Sequence, residues 1–511
     1  MPPDPTPLPY QPNFDSLRLH PLPRWYDDAK LGVFLHWGLS SVPGWAPRVP
    51  DIQTMFHDHG PSYVFRNNPY AEWYMNTMQI EDSPTRHHHD KIYGAEFAYD
   101  GFIPTFNRQS RQADLDALAD LCRRTGARYV VLTSKHHEGF CLWPTDVMHP
   151  AKGSYHSERD LVGDLTLAVR QAGMRMGLYY SGGYDWPYNG AVIRTGADAI
   201  LAVPHDRRYA DYIEGHFREL IERYEPSILW NDIAFPATGD LAGLLAHYYN
   251  SVPDGVVNDR WLNTRIPGGS GSAVIVRGLV GSVERLWRFL PSRFRRIAPP
   301  RVPHCDFTTP EYEDRAAVAE KKWESVRGVG HSFGANRHES PDDILSETEL
   351  VRMFVDIVSK NGNLLIGIGP RADGTIPESQ QSPLLGLGRW LEDNGDAIFG
   401  SRPWRAPQSV TTEGQPVRFT SKGDTLFATF LEAPSSRAVR IQGLEANSVP
   451  KAHLLGTGQI RASVEGRDLL LHLPDSLPLS PAHVVAIKPA PRWRRPGSPN
   501  PGAHPGLAAT R

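Results

Sequence analysis

Six short segments of this chain set His, Trp, Tyr, Asp, Asn or Arg side by side where an apolar run stops. They are His36-Trp37-Gly38, Lys135-His136-His137-Glu138-Gly139-Phe140, Tyr179-Tyr180-Ser181, Trp230-Asn231-Asp232, Asn258-Asp259-Arg260 and Ser332-Phe333-Gly334. Aromatic faces with a few fixed polar anchors suit a sugar, whose C–H faces are apolar and whose rim carries hydroxyls. Composition points the same way, with 10% aromatic residues, 13 Trp and 21 His. His136 and His137 beside Glu138 also invite a metal reading. Adjacent strand residues point to opposite faces, so both imidazoles converge only at an irregular strand end, and no metal or cofactor is expected. The run His87-His88-His89 after Pro84 reads as a solvated loop.

Such groups need a scaffold that delivers several strand ends to one place. From 30 to about 400, short apolar runs alternate with helical periodicity, and strands are expected over 32–35, 129–133, 176–180, 228–230, 256–258, 328–333 and 364–368. Leu115, Leu118, Leu121 and Cys122 recur at helical spacing before Gly126, as do Leu161, Leu165, Ala168, Val169 and Ala172 before Gly173. Further helical stripes cover 209–224 and begin again at Ser346. This alternation predicts an α/β catalytic domain over 1–400, a TIM-like and imperfect (β/α) barrel with its chemistry at the carboxyl ends of the strands. A doubly wound open sheet is the alternative, weakened because no Gly-x-Gly-x-x-Gly follows an early strand.

After 400 the period changes to two. The stretch 417–431 alternates around Lys422-Gly423-Asp424, which predicts a C-terminal antiparallel β-sandwich over 401–490. Residues 491–511, rich in Pro, Arg, Gly and Ala, predict a disordered tail. An insertion over 262–303 contains GGSGS, then six arginines between Arg285 and Arg301 against one acid, Glu284. Trp287, Phe289 and Phe294 interleave with them, so the segment reads as a surface insertion or as a lid or partner-docking helix at the site's rim.

The 511 residues carry 54 Lys and Arg against 57 Asp and Glu, a net charge of −3 that offers no general field for nucleic acid or an acidic membrane surface. Cys122, Cys141 and Cys305 make neither a disulfide framework nor a metal-ligand spacing. No apolar run reaches the roughly 18 residues of a membrane span, and the opening MPPDPTPLPYQPNF lacks the parts of a secretion signal. A cytoplasmic protein with no nucleic-acid or membrane partner is expected, with homo-oligomerisation left open.

The segments AKLGVFLHWGLSSVPGW, SKHHEGFCLWPT, RDLVGDL, GLYYSGGYDW, SILWNDIAFP and GNLLIGIGPRADGTIP together resemble the α-L-fucosidases of glycoside hydrolase family 29, in the same order along the chain. The resemblance implies a retaining exo-α-L-fucosidase without cofactor, acting on fucosylated oligosaccharides or glycoconjugates through a covalent fucosyl-enzyme intermediate. It implies a (β/α) barrel followed by a β-sandwich. Asp232 matches the family's nucleophile, and Glu311, in HCDFTTPEYE, matches the acid/base of some bacterial members. The implied substrate contacts are His36, His136, His137, Tyr179, Trp230, Arg260, Glu72 with Trp73 in AEWY, and Phe333 in HSFGAN, placed for the C5 methyl.

A retaining pair needs an ionised Asp232, which Arg260 could favour, and a protonated Glu311, which Phe307, Pro310 and Tyr312 could favour by desolvation. Plainer roles stand beside these: Asp232 as a helix N-cap, Glu311 as a surface acid, Arg260 as a partner of Asp259. Glu72 and Glu138 compete with Glu311 for the acid/base role. For the whole protein, the alternatives are a catalytically silent fucose-binding barrel and a metal-dependent barrel hydrolase.

Overall fold

Leu31–Leu35 (β1) is an unbroken apolar run buried at every position, as a strand covered on both faces requires. Six more strands join it in one parallel sheet: Tyr129–Lys135 (β2), Arg175–Ser181 (β3), Ile228–Asp232 (β4), Val256–Val257 (β5), Trp323–Gly328 (β6) and Gly362–Ile368 (β7). Their order is β5-β4-β3-β2-β1-β7-β6. The structure, a computed structural model, describes residues 9–263, 270–289, 301–312 and 315–494. The chain divides into two compact units. One comprises Met1–Asp314, Lys321–Ser346 and Gly362–Gly388; the other comprises Arg315–Glu320, Glu347–Asn361 and Arg389–Arg511.

Among the described residues, the parallel sheet does not close through an eighth regular strand. Residues 306–312 bridge β5 and β6 instead: the Asp306 amide donates to Val257 O (2.9 Å), the Thr308 amide to Lys322 O (3.1 Å) and the Tyr312 amide to Val326 O (3.2 Å). The result is the expected (β/α) barrel in an imperfect form. Crossover helices cover it, among them Leu115–Arg124, Leu161–Gln171 and Arg207–Tyr224. Each starts at an aspartate, Asp114, Asp160 or Asp206, whose side chain accepts a first-turn amide.

Two local expectations are corrected. The strand expected over 328–333 is the loop that follows β6. Glu324 and Arg327 break the apolar pattern of β6, and Glu324 is fully buried because hydroxyls disguise its charge. Tyr26 Oη (2.9 Å) and Tyr129 Oη (2.6 Å) donate to its Oε2, and Trp230 Nε1 donates to Oε1 (3.2 Å). His87-His88-His89 is not a solvated loop either. Ser83 caps and Pro84 opens a helix, Pro84–Ile92, in which His89 is buried between Tyr74 Oη and Phe97 O.

The second unit holds a nine-stranded antiparallel sheet between Arg402 and Trp493, curled until Thr411 bridges Ile441. Phe419, Leu426, Phe430, Leu471 and Val485 fill its core. Lys422 faces Thr425 across Gly423, whose φ of +59° suits the tight turn. Of the tail expected from 491, Arg492–Trp493 pairs with Ala438–Glu445. The remainder beyond Arg494 lies outside the described residues, as do 264–269 and 290–300 of the insertion. Among the described residues no helix is long and apolar enough to cross a membrane.

Candidate active site

The carboxyl ends of β1 to β4 and the segments beyond β5 and β6 converge on one cavity of about 170 Å³. His36, Glu72, Trp73, His136, His137, Tyr179, Trp230, Asp232, Arg260, Glu311 and Phe333 all line it, so the catalytic pair and the substrate contacts expected from the resemblance come to one place.

Asp232 ends β4. Tyr179 Oη donates to its Oδ2 (2.7 Å), while Arg260 Nη1 (2.8 Å) and the Ile233 amide (2.9 Å) donate to Oδ1. Ile233 holds φ at +69°, a left-handed conformation costly for a β-branched residue, on the order of 1–3 kcal/mol. That turn aims its own amide at the neighbouring carboxylate. Asp232 is no helix N-cap, because the next helix begins at Leu241.

Glu311 sits in the irregular segment between β5 and β6, and the residue after it, Tyr312, also has a positive φ (+49°). Arg260 Nη2 donates to Glu311 Oε1 (2.5 Å). One guanidinium therefore grips both carboxylates. The two oxygens it holds can therefore be no more than about 8 Å apart, close enough for the pair to flank one sugar. Thr309 fixes Arg260 from behind through Oγ1 (3.1 Å to Nε) and its carbonyl (3.2 Å to Nη2), and Trp230 lies under the guanidinium at 4.8 Å. Asp259 turns to Thr309 Oγ1 instead (2.7 Å). Burial works against the Arg260 charge, but Glu311 and Asp232 outweigh it and raise its pKa.

Burial, reinforced by the neighbouring His136, holds His36 and His137 well below the ordinary imidazole range, so both are neutral at pH 7. Ser181 Oγ donates to Tyr184 O (2.9 Å), so His137 Nδ1 carries the proton shared with Ser181 (2.7 Å) and Nε2 keeps a lone pair. Nδ1 of His36 and of His136 are buried with no hydrogen-bond partner among the described residues. Glu72 accepts the Gly334 amide (2.8 Å), and burial raises its pKa against the opposing pull of His136. A Cβ at Gly334 would stand 3.0 Å from Glu72 Oε2, so the glycine permits this approach. Glu138 is buried but is not among the residues that line the cavity.

Phe333 forms an apolar wall, its ring 4.8 Å from His36 and 5.2 Å from Tyr70. The sequence reading missed Tyr70, Phe34, Asn68 and Ile233, and also Ile52, Phe56 and Phe65, which the helices Ile52–His59 and Pro61–Arg66 bring to the cavity. Phe34 and Ile233 lie inside conspicuous segments but their own types announce nothing, and an apolar residue in a short helix looks the same whether it faces a core or a ligand. Behind the site, the buried pair Lys135–Asp185 (3.2 Å) pins the turn that carries His136 and His137. Among the described residues no group of three or more His, Cys, Asp or Glu is placed to hold a metal ion.

A family profile described as Alpha-L-fucosidase matches residues 3–274 and 295–396. The Alpha-L-fucosidase of Dictyostelium discoideum is 31% identical over 465 residues, covering 88% of this chain and 86% of that protein. The Thermotoga maritima alpha-fucosidase in complex with a mechanism based inhibitor is 39% identical, with a TM-score of 0.78 over 94% of this chain and 99% of its own. The same enzyme in complex with fucose matches with a TM-score of 0.77 over 94% of this chain.

Proposed function

The chain belongs to the α-L-fucosidase family, and from that premise we propose that it removes terminal α-L-fucosyl groups from glycoconjugates by double displacement, with retention at the anomeric carbon. Asp232 attacks C1 while Glu311 gives its proton to the departing glycosidic oxygen; the C1–O bond breaks and an ester to Asp232 forms. Water then attacks C1, Glu311 takes its proton, and Asp232 leaves as a carboxylate. Tyr179, Arg260 and the Ile233 amide hold both oxygens of Asp232 and orient the carboxylate that attacks. Glu311 must part from Arg260 to act as an acid, which a sugar entering between the two carboxylates would bring about.

The observation that carries this reading is the grip of one arginine on both carboxylates at the floor of a small cavity. Its size, below the roughly 300–1,000 Å³ of clefts that hold drug-sized ligands, supports recognition of a single terminal sugar. Neutral His36 and His137, His136 and Glu72 supply partners for hydroxyls. Phe333 meets the C5 methyl, a contact worth about 1–3 kcal/mol.

Glu311→Ala tests the pairing. Proton delivery contributes about 10²–10⁴-fold, so a loss of that size is expected on oligosaccharides with poor leaving groups. An aryl fucoside with an activated leaving group needs no proton in the first step, and that step should slow far less. Equal losses on both substrates would move the role to Glu72.

A further inference from the structure

The family match omits residues 275–294, and the described part of that gap is the second half of the helix Ser270–Leu286 with the turn Trp287–Phe289. Two side chains of this insertion turn inward. Glu284 accepts Ser62 Oγ (2.5 Å) and the Gly196 amide (2.6 Å). Trp287 is buried, and its Nε1 donates to Phe56 O (2.8 Å). Its ring lies on Gly60, where a Cβ would stand 3.0 Å from Cγ and where φ is +80°, a conformation that favours glycine. Gly60 ends the helix Ile52–His59 and starts the helix Pro61–Arg66. The insertion therefore clamps a junction: Trp287 holds the first helix at Phe56 and the turn at Gly60, while Glu284 holds the second helix at Ser62.

The clamped helices bring Ile52, Phe56 and Phe65 to the cavity, and nothing in the chemistry at C1 or in the contact with the C5 methyl uses them. Phe56 and Phe65 meet edge to face at 6.3 Å, and Phe65 stacks on Trp73 at 5.7 Å, so an aromatic row runs along this wall. The wall is joined to the acid/base segment, because Gln53 Nε2 donates to Glu311 O (3.3 Å). Asp232 is buried, whereas Glu311 and Phe56 are only partly so, which sets the wall and Glu311 nearer the mouth than the nucleophile. A proton from Glu311 goes to the glycosidic oxygen, so the leaving group must lie on the side of Glu311.

We propose that Glu284 and Trp287 are positioning residues for the leaving group. By fixing the junction at Gly60 they hold Ile52, Phe56 and Phe65 as an apolar wall beside Glu311. That wall takes a leaving group with a flat apolar face, either an aryl ring or the C–H face of a second sugar. The role rests on the fucosidase reading, since Glu311 marks the leaving-group side only if it delivers the proton. Neither residue touches the sugar; both act through the helices they clamp.

The test compares 4-methylumbelliferyl α-L-fucoside, whose leaving group is flat and apolar, with α-L-fucosyl fluoride, whose leaving group is one atom and too small to reach the wall. For both, kcat/KM reports the first displacement, with the leaving group still in place. Trp287→Ala in the full chain should lower kcat/KM about tenfold on the umbelliferyl fucoside and less than about twofold on the fluoride. Inhibition by free L-fucose, which carries no such group, should stay the same. Glu284→Gln leaves the indole in place and should shift the ratio of the two kcat/KM values in the same direction, by about threefold; it decides alone where Trp287→Ala does not fold. A ratio that the folded variants leave unchanged, or equal losses on both substrates, would overturn the positioning role while the fucosidase reading stands. A wild type that releases fucose from neither substrate would overturn that reading, and this role with it.

Discussion

Tyr179 and Arg260 reach the Asp232 carboxylate from two sides, and each holds a different oxygen. A hydrogen bond to a charged group contributes about 1.5–3 kcal/mol. Tyr179→Phe keeps the ring that stacks on Trp230 and removes only the hydroxyl. It should lower kcat/KM by roughly 10–100-fold with an unchanged melting temperature, and a loss under about twofold would show that the hydroxyl does little. At this scale the sequence was legible wherever a residue sits in a dense motif. Asp232 follows Trp230 and Asn231, and the histidines follow an apolar run, so their types announce a site. Phe34, Tyr70 and Ile233 were not legible, since their chemistry is that of any core residue and only convergence in space marks them.

At the scale of elements, most strands could be read because their apolar runs are continuous, and β1, β2 and β7 are buried at every position. β6 escaped notice because tertiary partners, not local pattern, make Glu324 tolerable. The bridging segment 306–312 has no strand periodicity, and Glu311 could be placed only through resemblance.

Glu324 gives β6 a testable signature. Burial lifts its pKa to about 7 from an ordinary 4.5, against hydrogen bonds from Tyr129, Tyr26 and Trp230 that favour the charged form. A carboxyl raised in the fold keeps a proton that the unfolded chain has already lost, so its contribution to stability falls as pH rises from 4.5 to 7. The change is on the order of 3 kcal/mol. Glutamine cannot ionise. The melting temperature of Glu324→Gln, relative to wild type, should therefore climb between pH 5 and pH 8 whatever its constant offset from lost hydrogen bonds. A difference that does not change with pH would refute the assignment.

Over the whole molecule, all the residues of the cavity belong to the unit built on the parallel sheet, and the antiparallel sheet of the other unit contributes none of them. The central claim concerns one covalent bond. A 2-deoxy-2-fluoro-L-fucosyl fluoride of the substrate's anomeric configuration carries a leaving group good enough for the first displacement, while its fluorine at C2 slows an oxocarbenium-like second step. Mass spectrometry of the digested, inactivated enzyme should find the sugar on the peptide that contains Asp232, and nowhere else. A sugar found on Glu311, Glu72 or Glu138, or no adduct together with release of β-L-fucose as the first product, would contradict double displacement through Asp232.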